Sequence, residues 1–372
     1  MCARICISVF IIALIGTAAY GQTNDSSKAL FGIGIRGHRS FIIQHSKKLS
    51  NEITSSHPWM IEADVNWHLR KQKSWEYCHC YPRTGFSFLY TNFDLPEILG
   101  SALSIYSYIE PFIRADRRLN YSFRFGLGLS YLNRVYDAET NPDNLFFSSP
   151  VSFLVMLNAS LNYRITPQLT LRAAGNYNHI SNSGFSEPNL GINYPSFSMG
   201  MDYSFKPVEL PFRTPSSKSA VNTKKQRLEI AAGLSAKPTT SGLNETRYPV
   251  YVLAVNYSRN ISRIVALNGG LEWMSDRSIY KALREKGTVN NDGHYADHNR
   301  AGAMVGIDWL FGRFIFYQHL GIYLYSPVKA QSIIYQRYGL NFRFSPHIFA
   351  GINIKSHGQD ADFMDLRIGY TF

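Results

Sequence analysis

From residue 121 the chain reads "YSFRFGLGLSY", and its side chains fall into two sets. Tyr121, Phe123, Phe125, Leu127, Leu129 and Tyr131 share one face, and Ser122, Arg124, Gly126, Gly128 and Ser130 the other. A period of two is that of a β-strand, whose successive side chains point to opposite faces. The alternation returns in "FSMGMDYSF", where Phe197, Met199, Met201, Tyr203 and Phe205 oppose Ser198, Gly200, Asp202 and Ser204, and again in "RYGLNFRF" and "DLRIGYTF". Alternation alone fits a soluble sandwich with its apolar face turned inward as well as a membrane barrel with that face turned out.

The connections and the composition separate the two. "RITPQL" and "RFSPHI" predict tight turns, whereas residues 133–148 and 276–298 predict long polar loops. Short turns on one side and long loops on the other are the habit of membrane barrels. The chain has 24 Tyr, 24 Phe and 27 Gly, yet beyond its first residues no apolar stretch is long enough for a spanning helix. Its final "YTF" resembles the assembly signal of bacterial outer-membrane barrels, which makes the barrel assembly machinery an expected partner. Segments of barrel length number about sixteen. The expected fold is therefore all-β, a transmembrane antiparallel β-barrel, with both ends of the mature chain in the periplasm.

The opening "MCARICISVFIIALIGTAAYGQ" has the charged, apolar and small-residue order of a secretory signal peptide, with cleavage after Gly21. Residues 1–21 are expected to be removed, and no cysteine follows the cut to carry a lipid anchor. A net charge of +12 suits an anionic partner such as lipopolysaccharide, and export argues against nucleic acid. Cys78 and Cys80, in "YCHCYPR", could bind metal or form a bridge. A zinc site needs more ligands in recognisable spacing, so a plain turn is expected.

The chain also repeats itself. "LNYRITPQLTLRAAGNYNHISN" from Leu161 aligns with "LNFRFSPHIFAGINIKSHGQ" from Leu340 with a single gap. Between them "KPVELPFRTPSSKSAVNTKKQ" reads as a linker. The expected organisation is a first half over 22–206, a linker over 207–226 and a second half over 227–372, each of about eight strands. The halves either close as two small barrels or fuse into one ring, and the long linker favours two. Where the first half has a histidine and a serine, the second has His357, Gly358 and Gln359, so it is expected to be degenerate and to serve structure or substrate capture.

Along "LTLRAAGNYNHIS", Leu169, Leu171, Ala173, Gly175, Tyr177, His179 and Ser181 share the lipid-facing stripe, while Arg172, Asn176 and Asn178 share the other face. This segment is the seventh strand by count and runs outward, so His179 and Ser181 fall at its outer end. Residues two apart on one face are neighbours, close enough for an imidazole to take a serine proton. The pair is either a nucleophile and base aimed into the outer leaflet or an interfacial girdle in which Ser181 begins a loop.

The longer run "HISNSGFSEPNLGIN" resembles the signature of the PagL-type lipid A 3-O-deacylases, outer-membrane acyloxyacyl hydrolases with a serine hydrolase site on the outer surface of a barrel. The resemblance is specific over residues 177–193 and diffuse over the rest of 22–206. It implies that Ser181 is the nucleophile and His179 the general base, that Asn182 and Gly184 hold the oxyanion, and that lipid A of lipopolysaccharide is the substrate, without metal or cofactor. The family places a glutamate where this chain has Asn193. An asparagine can orient an imidazole but brings no charge to the imidazolium. Glu187, in the same loop at a different spacing, is the alternative third member.

Two other function classes compete. A non-catalytic barrel for transport or envelope structure is favoured by Asn193 and the degenerate half, and would show a wide arginine-lined lumen. A secreted sugar-binding sandwich would stay out of the membrane. "NNDGHYADH" offers Asp292, His294, Asp297 and His298 as metal ligands, but its turn chemistry favours a solvated loop.

Overall fold

The computed structural model describes residues 29–372 apart from 47–48, 79, 184–185, 211–225, 240–245, 263, 288, 290–292, 296 and 359. The expected signal peptide, most of the expected linker, Gly184 and Asp292 lie outside the described residues.

The first half is built from β1 (Leu30–Ser40), β2 (Trp59–His68), β3 (Arg83–Asn92), β4 (Ser101–Glu110), β5 (Phe112–Ile113), β6 (Leu119–Leu132), β7 (Val151–Arg164), β8 (Leu169–Ser181), β9 (Ile192–Asn193) and β10 (Ser196–Ser204). The long strands follow one another antiparallel, and β10 closes the ring by pairing with both β8 and β1. The second half comprises β11 (Gln226–Pro238), β12 (Arg247–Asn260), β13 (Val265–Asp276), β14 (Asn299–Phe311), β15 (Phe314–Tyr325), β16 (Ile334–Arg343), β17 (Ile348–His357) and β18 (Asp360–Thr371). These close separately, β18 pairing back onto β11. Two eight-stranded barrels result, with β5 and β9 as short additions to the first. The repeated segments form the sixth and seventh long strands of their own rings, β7–β8 and β16–β17.

Both barrels turn their apolar side chains outward. Leu103, Phe123, Met199, Leu234, Val305 and Ile368 are each more than half exposed at 53 to 64 %. Their polar neighbours Ser122, Arg124, Asp365 and Arg367 are buried in the lumens. A soluble sandwich would have the opposite polarity. Among the described residues no helix is long and apolar enough to cross a membrane, so the strands carry the apolar belt.

The first lumen is filled by charge in balance. Arg36 reaches Glu62 at 2.7 Å and Asp202 at 2.6 Å, and Arg83 reaches Glu110 at 2.9 Å and Asp202 at 2.7 Å. Arg124 bridges Glu62 at 2.8 Å and Glu110 at 3.1 Å, and Arg172 bridges Glu110 at 2.5 Å and Asp202 at 3.1 Å. With Asp64, also on Arg36, the acids match the arginines in number. Buried charges survive only when paired and hydrogen-bonded, and this lattice provides that. A Cβ at Gly34 would collide with the carboxylates of Asp64 and Asp202, so the residue leaves room for the lattice. Toward the end that carries the loop between β6 and β7 the packing turns apolar, with Met60, Leu89, Phe93, Tyr106, Phe147, Ile180 and Tyr194 in one cluster. The second lumen holds its own lattice, including Arg337 with Asp365 at 2.7 Å and Lys237 with Asp362 at 2.7 Å. Small barrels fill their interiors with side chains, and the wide lumen that transport calls for is not formed by the described residues.

The two tight turns, β7–β8 and β16–β17, and the two long loops, after β6 and after β13, are where they were expected, but the β2–β3 connection, on the side of the β7–β8 turn, is itself long and holds a helix. The loop expected over 276–298 begins with a helix, α3 (Arg277–Glu285), which follows α1 (Asn51–Thr54) and α2 (Gln72–Cys78) in the chain; Asp276 caps it by accepting from Ser278 N at 3.0 Å. Cys78, the last residue of α2, and Cys80 do not form the plain turn expected from their spacing but a disulfide, with their Cα atoms 5.0 Å apart.

Candidate functional site

On β8 the inward residues Arg172, Asn176, Asn178 and Ile180 are buried in the first lumen, and Tyr177, His179 and Ser181 share the outer face. Ser181 is nevertheless buried and His179 half-buried, because the chain returns across them. That return follows from register. β10 pairs with β8 from Tyr203↔Leu169 to Ser196↔Asn176, and β9 continues the same register with Asn193↔His179 and Ile192↔Ile180. Pro195 lacks an N–H and interrupts the ladder between them. The neighbouring bonds hold the course: Tyr194 N donates to Asn178 O at 3.0 Å, and Ile43 N donates to Asn193 O at 2.9 Å. Ile192 and Tyr194 are fully buried anchors on either side of Asn193.

Residues directly opposite in an antiparallel ladder share a face, so Asn193 stands beside His179. Its Oδ1 lies 2.7 Å from His179 Nδ1 and accepts from the Tyr177 hydroxyl at 2.6 Å. With Nδ1 donating to a carbonyl oxygen, the lone pair of the ring is on Nε2. Among the described residues no hydrogen bond joins the His179 ring to the Ser181 hydroxyl; such contacts tighten once substrate is in place. Ser181 Oγ accepts from Ser183 N at 3.0 Å, and Ser183 itself has a left-handed backbone, φ 56°.

Gly191 closes the front of the pair. It adopts φ 63°, and a Cβ there would stand 3.0 Å from His179 Cε1 and 3.1 Å from Ser181 Cβ. Only a residue without a side chain fits this approach at this angle. His45 braces the same loop, its ring nitrogens 3.1 Å from Leu190 O and 3.0 Å from Ile43 O.

The remaining candidates separate. The Asn182 amide donates to Ser148 Oγ at 3.1 Å and Ser186 O at 2.8 Å, and its backbone N–H donates to Asn189 Oδ1 at 3.1 Å. Its donors are thus committed to holding the loop. Glu187 accepts from Asn189 N at 3.1 Å within its own loop, and the hydrogen-bond partner of the His179 ring is Asn193. Tyr177, Gly191 and His45 were invisible as site residues in sequence, because their contacts come from strand pairing across the loop; the positive-φ glycine two residues before Asn193 was the only local signal.

His357 does not stand where His179 does. The β7–β8 and β16–β17 turns have equal length, so counting from the turns sets His357 level with Asn178, on the inward face. The single gap in the alignment hid that one-residue shift, which flips a side chain to the other side of a sheet. His357 is buried in the second lumen, its Nε2 3.1 Å from the Tyr323 hydroxyl. In the loop singled out for metal ligands, Asp297 accepts from Asn299 N at 3.0 Å and from the Tyr325 hydroxyl at 3.1 Å.

The family model described as lipid A 3-O-deacylase (PagL) matches residues 56–202, which include Tyr177, His179, Ser181, Gly191 and Asn193 but not Ile43 or His45, and that described as acyloxyacyl hydrolase, C-terminal domain, matches residues 226–372. No curated protein matches the chain significantly in sequence. Among solved structures the chain is similar to the outer membrane enzyme PagL, at a TM-score of 0.32 and 12 % identity over 48 % of this chain and 99 % of that one. It is similar to Neisserial surface protein A at a TM-score of 0.32 and 12 % identity, over 47 % of this chain and 97 % of that one. A variant of the TodX monoaromatic hydrocarbon channel aligns at a TM-score of 0.19 and 9 % identity, over 93 % of this chain and 90 % of that one. With one family model on each barrel and an apolar belt around both, the chain is a bacterial outer-membrane protein and belongs to the PagL family of lipid A 3-O-deacylases and acyloxyacyl hydrolases.

Proposed function

We propose that this chain is an outer-membrane serine esterase that removes the 3-O-linked acyl chain from lipid A. The observation that carries the reading is the register that sets Asn193 opposite His179, 2.7 Å from its Nδ1, two residues from Ser181 on the lipid-facing side of an outer strand end. A polar group on that face is costly unless it is interfacial or functional, and here three polar groups converge. An acyl chain in the outer leaflet would approach from the side to which they point.

In this reading His179 Nε2 takes the proton of Ser181 as Oγ attacks the ester carbonyl carbon. The tetrahedral intermediate then expels the sugar oxygen, which leaves with the proton held on Nε2. Water, deprotonated by the same nitrogen, attacks the acyl-serine and releases the fatty acid. Asn193 orients the imidazole without stabilising the imidazolium by charge. Charge on the carbonyl oxygen is met by the turn after Ser181, where Ser183 N–H already aims at Oγ, Asn182 braces the loop and Gly184 follows. No step calls for a metal or cofactor.

Mass spectrometry of lipid A from cells expressing the wild type, Ser181→Ala or neither tests this. The wild type should lower lipid A by one acyl chain, and Ser181→Ala should match the empty cells while keeping its heat-modifiable migration on gels. Identical lipid A in all three, with the protein present in the membrane, would remove the esterase reading and leave a non-catalytic envelope role.

A further inference from the structure

We propose that Tyr177 is a positioning residue of this site: its hydroxyl holds the side-chain oxygen of Asn193 toward His179 and thereby sets the imidazole tautomer that can accept the serine proton. The inference rests on the serine-esterase reading and deepens it.

The third member here is an amide. A carboxylate offers an acceptor whichever way it turns, but an asparagine has an accepting oxygen and a donating NH2 of nearly the same size. Packing therefore cannot choose between its two orientations, and hydrogen bonds must. With Oδ1 toward His179, Nδ1 carries the ring proton and Nε2 is free to act as base. Turned by a half rotation, the amide would donate to Nδ1, the ring proton would move to Nε2, and Ser181 would face a donor instead of a base.

Tyr177 decides between these states. Its hydroxyl donates to Asn193 Oδ1 at 2.6 Å, and among the described residues that oxygen is its acceptor. The two lone pairs of Oδ1 are then used by Tyr177 and by His179 Nδ1–H. Turning the amide would take from the phenol proton the acceptor it has, on the outer face of the strand where Tyr177 is 39 % exposed. An unmade hydrogen bond is costly. The arrangement is built by the strand itself: Tyr177 and His179 are two apart on one face, and the register brings Asn193 level with the second of them. By this argument a glutamate at the third position needs no such lock, and the tyrosine matters because this chain has asparagine there.

The test compares wild type, Tyr177→Phe, Asn193→Asp, the double variant and Ser181→Ala, purified in detergent, by acyl release from lipid A and by 15N spectra of the His179 ring. Tyr177→Phe removes one oxygen and keeps the ring. It should lower kcat about tenfold, the weight of one hydrogen bond, with KM little changed. Its spectrum should show Nε2–H imidazole that the wild type lacks. In the Asn193→Asp background the same change should alter the rate by less than about twofold, the limit expected of uncoupled sites. Equal losses in both backgrounds would mean that Tyr177 only packs, and an unchanged rate and tautomer would overturn the proposal outright. Ser181→Ala with undiminished acyl release would instead overturn the esterase reading, while the spectra would still decide which tautomer Tyr177 sets.

Discussion

Gly191→Ala is the sharpest test of how the loop sits on the His179 and Ser181 pair. Two effects act together. At φ 63° an L-residue meets its own backbone, at a cost of about 1 to 2 kcal/mol. The new methyl would also stand 3.0 Å from His179 Cε1 and 3.1 Å from Ser181 Cβ. That is about half an ångström inside ordinary carbon contact, so the ring, the serine or the loop has to give way. A misplacement of about 1 Å at a reacting group costs roughly a hundredfold, so half that displacement predicts a loss of about tenfold in acyl release per folded molecule. Gly175→Ala is the control, because Gly175 lies on the strand and face of His179 and Ser181, has no positive φ, and leaves open space within 4 Å of where its methyl would stand. The assay is acyl release from lipid A in detergent, beside the midpoint of urea unfolding in vesicles. Gly191→Ala should be slower and less stable, Gly175→Ala close to wild type in both. If Gly191→Ala behaves like Gly175→Ala, the loop does not rest on the pair, and the seating of Asn193 beside His179 loses its support.

Two further outcomes follow from the same geometry. Asn193→Asp keeps size and contacts while placing a charge 2.7 Å from His179 Nδ1, so it should raise the rate by about tenfold or more, less than the four orders lost in the reverse change in a serine protease because the new charge must be desolvated; Asn193→Ala no slower than wild type would show that the third role lies elsewhere. Arg124→Met leaves Glu62 and Glu110 short of a partner in the first lumen and should cost about 3 to 5 kcal/mol of barrel stability in urea, with activity per folded molecule little changed.

Much of the site's direction was legible in sequence because strand geometry is local. The period of two assigned Tyr177, His179 and Ser181 to the lipid-facing stripe and Arg172, Asn176 and Asn178 to the other, and the structure has them there. Counting strands put β8 seventh, which is also its place in the first ring. What the linear pattern could not carry was the partner across the loop. Asn193 lies opposite His179 because β9 continues the register of β10 past Pro195, and that register is set by hydrogen bonds to β1 and β8 together.

The same division runs through the whole chain. Alternation, turn residues and the internal repeat each depend on neighbours a few positions apart, so the sequence by itself determined that the protein is strand-built, apolar on the outside and doubled. Closure depends on which distant edges meet. β10 pairs with β1 and β18 with β11, so the long strands form two rings instead of one, a choice made by backbone hydrogen bonds between residues far apart in the chain. Inside, a lattice of arginines and acids forms because eight-stranded rings bring their inward side chains within reach of one another. The bond between Cys78 and Cys80, the inward turn of His357 and the binding of Asn182 into its loop were likewise decided only there, where a one-residue shift or a helix end determines what each side chain can touch.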